Sequence, residues 1–135
     1  MILQVGVKAF LRNEEGKYLL VKRNTEKYQT VQGLWDIVGG RIEPGTGLFE
    51  NLKREVKEET QLEVISEPKL IFAQDIIRVP ERHVVRLTYI ADARGEVVLD
   101  TTENCEYRWL SLSEIQTERD LDVYVKEIVE KNILS

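Results

Sequence analysis

The sequence predicts a mixed α/β (α+β) fold: a central mixed β-sheet with helices packed on both faces. Two observations carry this expectation. Strand-like segments outnumber helical ones, and the helical segments lie well apart along the chain, which favours a sheet between them. A length of 135 residues fits one compact domain spanning 1–135, with a single core and little room for a second.

The elements follow in order. "LQVGVKAFLR" (3–12) mixes alternation with β-branched residues and reads as a strand; "NEEG" (13–16) is a turn, and "KYLLVKR" (17–23) returns as the second arm of a hairpin. Residues 24–34 are polar and irregular. "LWDIV" (34–38) is a short apolar run that reads as a strand stopping at a tight Gly39-Gly40 loop. Helical periodicity covers 47–60, where Phe49, Leu52 and Val56 recur at three and four residues and Lys53 and Lys57 fall opposite. Gly47 is an acceptable N-cap, and Glu50 three residues on resembles half of a capping box. Further strands are expected at about 63–77, 83–93 and 107–111, a short helical turn at 111–115, and a closing amphipathic helix at 119–133.

Composition narrows the function. A net charge of -5 and a pI near 5.1 argue against a general nucleic-acid or membrane-surface binder, so no nucleic-acid polymer and no membrane partner is expected. An anionic small-molecule substrate stays open, because a bound divalent cation reverses the local field. Cys105 is the single cysteine, as suits a reducing compartment. No basic leader with an apolar core opens the sequence and no apolar run reaches membrane-spanning length, so a cytoplasmic protein is the expectation.

One stretch, "GGRIEPGTGLFENLKREVKEETQL" (39–62), places Glu55, Glu58 and Glu59 together beside Arg54. On a helix at 100° per residue, with Glu55 at zero, Glu59 falls at about +40° and Glu58 at about -60°. Leu52, Val56 and Phe49 follow at about +60°, +100° and +120°. The acidic arc therefore borders the apolar stripe, where a groove floor would lie, instead of opposing it. Three carboxylates this close repel more strongly as water is excluded, and a hard Mg²⁺ with its preference for oxygen ligands relieves them. Arg54, four residues from both Glu50 and Glu58, is placed to bridge them. The alternative is a solvated acidic helix with ordinary Glu/Lys and Glu/Arg pairs. Gly39, Gly40 and Gly45 favour the first reading, since a Gly-rich loop before a helix lets backbone approach an anion closely.

The arrangement resembles the Nudix (MutT-type) hydrolase family. Its signature runs Gly, five residues, Glu, seven residues, Arg-Glu-aliphatic-any-Glu-Glu-any-Gly-aliphatic. Here Gly40, Thr46 and Arg54-Glu55-Val56-Lys57-Glu58-Glu59-Thr60-Gln61-Leu62 hold that spacing without a gap. Thr46 replaces the first Glu, Gln61 replaces the closing Gly, and Val38 stands where many members have Pro.

The resemblance implies a Nudix-type α/β/α sandwich over nearly the whole chain. It also implies a pyrophosphohydrolase that uses Mg²⁺ (or Mn²⁺) to split a nucleoside diphosphate linked to another group. Carried over by position, Glu55, Glu58 and Glu59 are metal ligands, with Glu59 and Glu55 the inner pair and the Gly39 carbonyl a further oxygen. Arg54 belongs to the same catalytic set. A further carboxylate, base or ligand, is expected before the last strand, at Glu103 with Glu106 as runner-up. Arg23, Arg41 and Gly40 are candidates for substrate phosphates. Tyr28, Trp35 and Tyr89 are aromatics that stack on a base or, as is commoner, fill core. His83 is expected to be structural or on the surface. The substrate expected first is a nucleoside or deoxynucleoside triphosphate, and ADP-ribose or a nucleotide sugar second. A non-catalytic nucleotide-binding module is the reading of another class. The family frequently dimerises, so a homodimer is within range.

Overall fold

The computed structural model describes residues 1–26 and 33–134. The strands are β1 (Ile2–Arg12), β2 (Tyr18–Arg23), β3 (Trp35–Asp36), β4 (Val38–Arg41), β5 (Glu63–Val64), β6 (Lys69–Ile76), β7 (Arg82–Arg94) and β8 (Asn104–Leu110). The helices are α1 (Leu48–Thr60), α2 (Leu112–Thr117) and α3 (Val123–Glu130).

The sheet runs β3-β2-β1-β7-β5, with β4 also on β1, β6 also on β7 and β8 also on β2. β1 and β7 are parallel along their whole length, from Ile2↔Arg82 to Arg12↔Asp92, and the other pairings are antiparallel. β1 thus has one edge taken by β7 and shares the other between two partners. It meets β2 at Arg12↔Tyr18 and β4 over Gly6↔Arg41 to Ala9↔Val38. The sheet splits where β1 passes from one partner to the other, and the cleft described below lies over Gly6 and Lys8, in the part of β1 paired with β4.

Alternation along β1 feeds two cores. Val7, Ala9 and Leu11 point to the side where Leu52 and Val56 of α1 pack, with Leu19, Val38 and Tyr89. Phe10 points to the other side, where Ile115 of α2 and Val125, Ile128 and Val129 of α3 pack, with Leu20, Trp35 and Ile37. Helices on both faces of a mixed sheet are what the sequence predicts. Trp35 and Tyr89 are core: an Arg108 guanidinium lies over the Trp35 ring at 4.6 Å, and Tyr89 meets Phe49 edge to face at 5.7 Å.

Several boundaries differ from expectation. The run 34–38 is not one strand ending at a loop. Asp36 and Val38 lie on separate strands paired to β2 and β1, and Gly39-Gly40 continue in β4. Gly39 sits at φ +144, and a Cβ there would lie 2.0 Å from the Val7 carbonyl, so β4 can cross β1 this closely only at glycine. The segment 63–77 divides into β5 and β6, interrupted before Pro68, which supplies no ladder N–H. The closing helix begins at Val123, not 119. Asp122 caps it, its side chain accepting from Tyr124 N and Val125 N, while Leu121 bridges to Trp35. The last strand starts at Asn104, three residues earlier than expected. In α1, Phe49 is 40% exposed, so the buried stripe rests on Leu52 and Val56 joined by Asn51 and Thr60. Gly47 is the N-cap, and Gln61 closes the helix in the left-handed conformation at φ 62, where the signature has glycine.

Candidate active site

The cleft is a cavity of about 550 Å³ whose walls come from β1, β2, β4, β6, β7, the 100–104 segment and α1, with α3 closing one end. Among the residues carried over from the signature, Gly39, Gly40, Arg41, Glu55, Glu58, Glu59, Arg23 and Glu103 all line it.

Glu55 and Glu59 stand one helical turn apart against the two glycines. The Gly39 N–H donates to Glu59 Oε2 at 3.1 Å, and the buried Asn104 Nδ2 approaches Glu59 Oε1 at 3.4 Å. A Cβ on Gly40 would lie 2.7 Å from Glu55 Oε2, so this glycine makes room for the carboxylate. Burial is the first cause that pushes the Glu59 carboxyl up to about 7; Lys8 opposes it and Glu55 adds to it. Glu55 is raised as well, by burial and by Glu58, against Arg54. Two carboxylates held close and partly out of water, with Arg54 and Lys8 offsetting only part of the cost, form an all-oxygen donor set that suits a hard divalent cation.

Glu58 is placed differently. It is 57% exposed and 3.8 Å from Arg54 Nη1. Among the described residues no three acidic or thiol/imidazole groups converge tightly enough to enclose an ion; Glu55 and Glu59 stand together and Glu58 lies at the rim.

Arg54 is the orienting group. Its Nη1 lies 3.3 Å from both Glu55 Oε1 and Glu43 Oε1, and its Nη2 donates to Asn51 Oδ1 at 2.8 Å. The bridge expected to Glu50 is made to Glu43 instead. Asn51 then ties the preceding loop to the helix, donating to the Thr46 and Gly47 carbonyls and accepting from Glu43 N. Thr46 carries no carboxylate, but Glu43 brings one to Arg54 from three residues earlier.

The floor of the cleft holds a buried ion network that the sequence reading did not find. Asp36 accepts from Lys8 Nζ at 3.1 Å, Arg23 Nη2 at 2.6 Å and Arg86 Nη2 at 3.0 Å. Burial alone would raise the Asp36 carboxyl, but Lys8, Arg86 and Arg23 outweigh it and hold it well below the usual range. Arg23 also reaches Asp122 Oδ2 at 2.7 Å and the Gly33 carbonyl at 2.8 Å, so its guanidinium is held by protein partners and is 16% exposed. Arg86 lies over the Tyr124 ring at 5.5 Å. Three cations on two carboxylates leave this floor positive where it faces the glutamates.

A model of the NUDIX domain matches residues 2–131. The chain belongs to the NUDIX family. A protein of Bacillus subtilis (strain 168) described as "Putative 8-oxo-dGTP diphosphatase" is 31% identical over 106 residues, covering 78% of this chain and 65% of the relative. Nudix hydrolase 2 of Arabidopsis thaliana is 34% identical over 53% of this chain and 25% of its own length, so the chain spans less than two thirds of these relatives. Among solved structures, the MutT protein from Methanosarcina mazei Go1 superposes with a TM-score of 0.79 at 28% identity, covering 96% of this chain and 91% of that one. An ADP-ribose pyrophosphatase from Streptococcus suis 89-1591 shares the fold with a TM-score of 0.66 at 21% identity, covering 94% and 84%.

Within this NUDIX chain, the remaining candidates separate. Glu103 is on the cavity wall, whereas Glu106 faces away on β8, 3.5 Å from Arg108. Arg41 donates to Gln4 Oε1 at 2.6 Å and faces the cavity from the end of β4. His83 pairs with Asp75 at 2.7 Å on the surface, away from the cleft. Cys105 is exposed and makes only a weak contact with the Arg23 carbonyl at 3.8 Å. Tyr28 lies outside the described residues. No described helix is long and apolar enough to cross a membrane.

Proposed function

We propose that this chain is a Mg²⁺-dependent pyrophosphohydrolase of nucleotide substrates, acting first on nucleoside or deoxynucleoside triphosphates. The observation that carries the reading is the opposed Glu55–Glu59 pair. It is partly buried, oriented by Arg54, Gly39 and Asn104, and open to a cleft whose other walls carry Lys8, Arg23, Arg41, Arg78, Arg82 and Arg86. The name of the Bacillus subtilis relative supports a triphosphate substrate.

Glu55 and Glu59 would hold Mg²⁺ (Mn²⁺ in its place), with Glu58 and the Gly39 carbonyl as further oxygens. When bound, the cation neutralises charge on phosphate oxygens and makes water a better nucleophile. The chain's own groups do the rest. Arg54 fixes the orientation of Glu55, and Gly39 N–H with Asn104 fixes that of Glu59, so the carboxylates need little rearrangement to receive the substrate. Water oxygen bonds to one phosphorus of the anhydride, and the bridging oxygen leaves with the bonding electron pair. The water proton passes to a base, for which Glu103 on the facing wall is the candidate. Gly40 lets the phosphates approach the strand, and Arg41 offers a planar fork to them. Arg23 supports the floor between Asp36 and Asp122, which keeps that wall positive and shaped.

The test is turnover of a panel of NTPs, dNTPs, ADP-ribose and dinucleoside polyphosphates with Mg²⁺, for wild type and Glu59→Gln. The reading expects a monophosphate product from wild type and at least about 100-fold less from the variant. Nucleotide-dependent thermal stabilisation without turnover of any compound would replace it with a binding module.

A further inference from the structure

We infer that Arg41 and Arg82, with Arg78 beside them, form a clamp for the terminal phosphate of a polyphosphate chain, which makes a 5′-triphosphate the preferred substrate class over diphosphate-linked sugars. The inference rests on the pyrophosphohydrolase reading and adds to it which end of the substrate is discriminated and by which side chains.

The clamp arises from strand register. Gly6 and Lys8 of β1, two residues apart on one face of the strand, line the cleft, and Gln4 precedes them on that face. β4 flanks them with Arg41 opposite Gly6, and β7 flanks them with Arg86 opposite Gly6 and Arg82 opposite Ile2. Gly6 puts no side chain between the arginines. A Cβ there would come into ordinary van der Waals contact with the Gly40 carbonyl, Val84 and Arg41, at 3.7–4.0 Å.

Charge pairing separates these arginines from the other cations of the cleft. Lys8, Arg23 and Arg86 each bind Asp36, and Arg54 binds Glu43 and Glu55. Among the described residues, Arg41, Arg78 and Arg82 have no acidic ion-pair partner. Arg41 donates to neutral Gln4, and Arg78 lies over the Tyr124 ring at 5.6 Å. All three line the cavity, in a chain of net charge -5 that has 24 acidic residues available to pair with. Burial and then the nearby Arg82 lower the Arg41 pKa, so the two guanidiniums feel each other. All three side chains are exposed, so water screens their mutual repulsion, and an anion placed between them gains ion pairs that the protein does not supply.

The position relative to the glutamates selects the anion. Arg41 follows directly on Gly40, which touches Glu55, and its carbonyl lies 3.5 Å from Arg54 Nη2. A diphosphate held at Glu55 and Glu59 therefore presents its next substituent to Arg41 and Arg82. In a nucleoside triphosphate that substituent is a phosphate, which the planar forks of arginine bind in bidentate fashion. In ADP-ribose it is a neutral sugar that leaves the guanidiniums unpaired.

The experiment has two arms. Calorimetry with inorganic tripolyphosphate and metal-free protein needs no turnover. Arg82→Gln is expected to weaken binding at least about tenfold, and Arg82→Lys to restore part of it, because charge returns without the fork. With Mg²⁺, the ratio of kcat/KM for a dNTP to that for ADP-ribose is expected to fall at least about tenfold in Arg82→Gln; if ADP-ribose is not turned over, kcat/KM for the dNTP is expected to fall at least about tenfold while the ADP-ribose inhibition constant stays unchanged. Tripolyphosphate binding that is absent in wild type or equal in the variant overturns the clamp, as does an equal loss on both substrates. A chain that binds tripolyphosphate through Arg82 but hydrolyses nothing keeps the clamp and removes the pyrophosphohydrolase reading.

Discussion

Glu59→Gln should make the metal-free protein more stable at alkaline pH even as it removes activity. The Glu59 carboxyl rises from an ordinary 4.5 to about 7 in the folded chain, chiefly through burial. At about 1.36 kcal/mol per pKa unit, that is on the order of 3 kcal/mol. The sign follows from the direction. The folded state holds the proton longer than the unfolded state, so the contribution is fully present below pH 4.5 and is lost as pH rises to about 7. Gln is neutral throughout and can still accept from the Gly39 N–H. In urea titrations without divalent metal, the variant should therefore exceed wild type by about 1–3 kcal/mol at pH 8, which is roughly 4–10 °C in Tm for a chain of this size, and the gap should close near pH 4.5. Adding Mg²⁺ at pH 8 should raise wild type by mass action and leave the variant nearly unmoved. A variant less stable than wild type at pH 8 without metal would refute the reasoning, since it would mean the carboxylate is already satisfied by protein partners.

Other positions give separate readouts. Arg23→Met removes the guanidinium that joins Asp36 to Asp122 while Lys8 and Arg86 still pair with them, and urea unfolding should show a loss of about 1.5–3 kcal/mol. Gly40→Ala pushes on the Glu55 carboxylate end, which is flexible, so calorimetric Mg²⁺ affinity should fall about tenfold while the fold survives by circular dichroism. Gly39→Ala instead drives a Cβ onto the Val7 backbone, and the chain should fail to fold or lose several kcal/mol in the same urea assay. Gln61→Gly relieves the left-handed cap of α1 and should add about 0.5–1 kcal/mol.

Much of this was legible in the residues themselves. The 3.6-residue period of 47–60 placed Glu55 and Glu59 beside the apolar stripe, and the family resemblance carried by the unbroken spacing from Gly40 implied that Gly39 shares their site. What escaped was long-range. Lys8 in "VGVKAFL", Asp36 in "LWDIV" and Arg86 in "VVRLTY" are each a lone charge inside an apolar strand. Buried charges need partners, and these three meet at one point, yet single strands do not reveal which charges face each other until register is fixed. The same holds for Arg41 and Arg82, 41 positions apart and joined only through β1. Asn104 escaped because a neutral amide among carboxylates carries no charge or periodicity signal, although once buried it holds the Glu59 carboxylate. The break in 34–38 escaped because its apolar pattern is continuous, and only the close approach to Val7 makes Gly39 a crossing point instead of an end.

Glu59 is the proposed ligand for the ion that activates the anhydride. The most direct measurement is ³¹P NMR of a deoxynucleoside triphosphate with Mg²⁺ and either wild type or Glu59→Gln. Monophosphate and pyrophosphate signals from wild type, with at least about a 100-fold slower appearance from the variant, are the predicted result. Equal rates from the two proteins would contradict it.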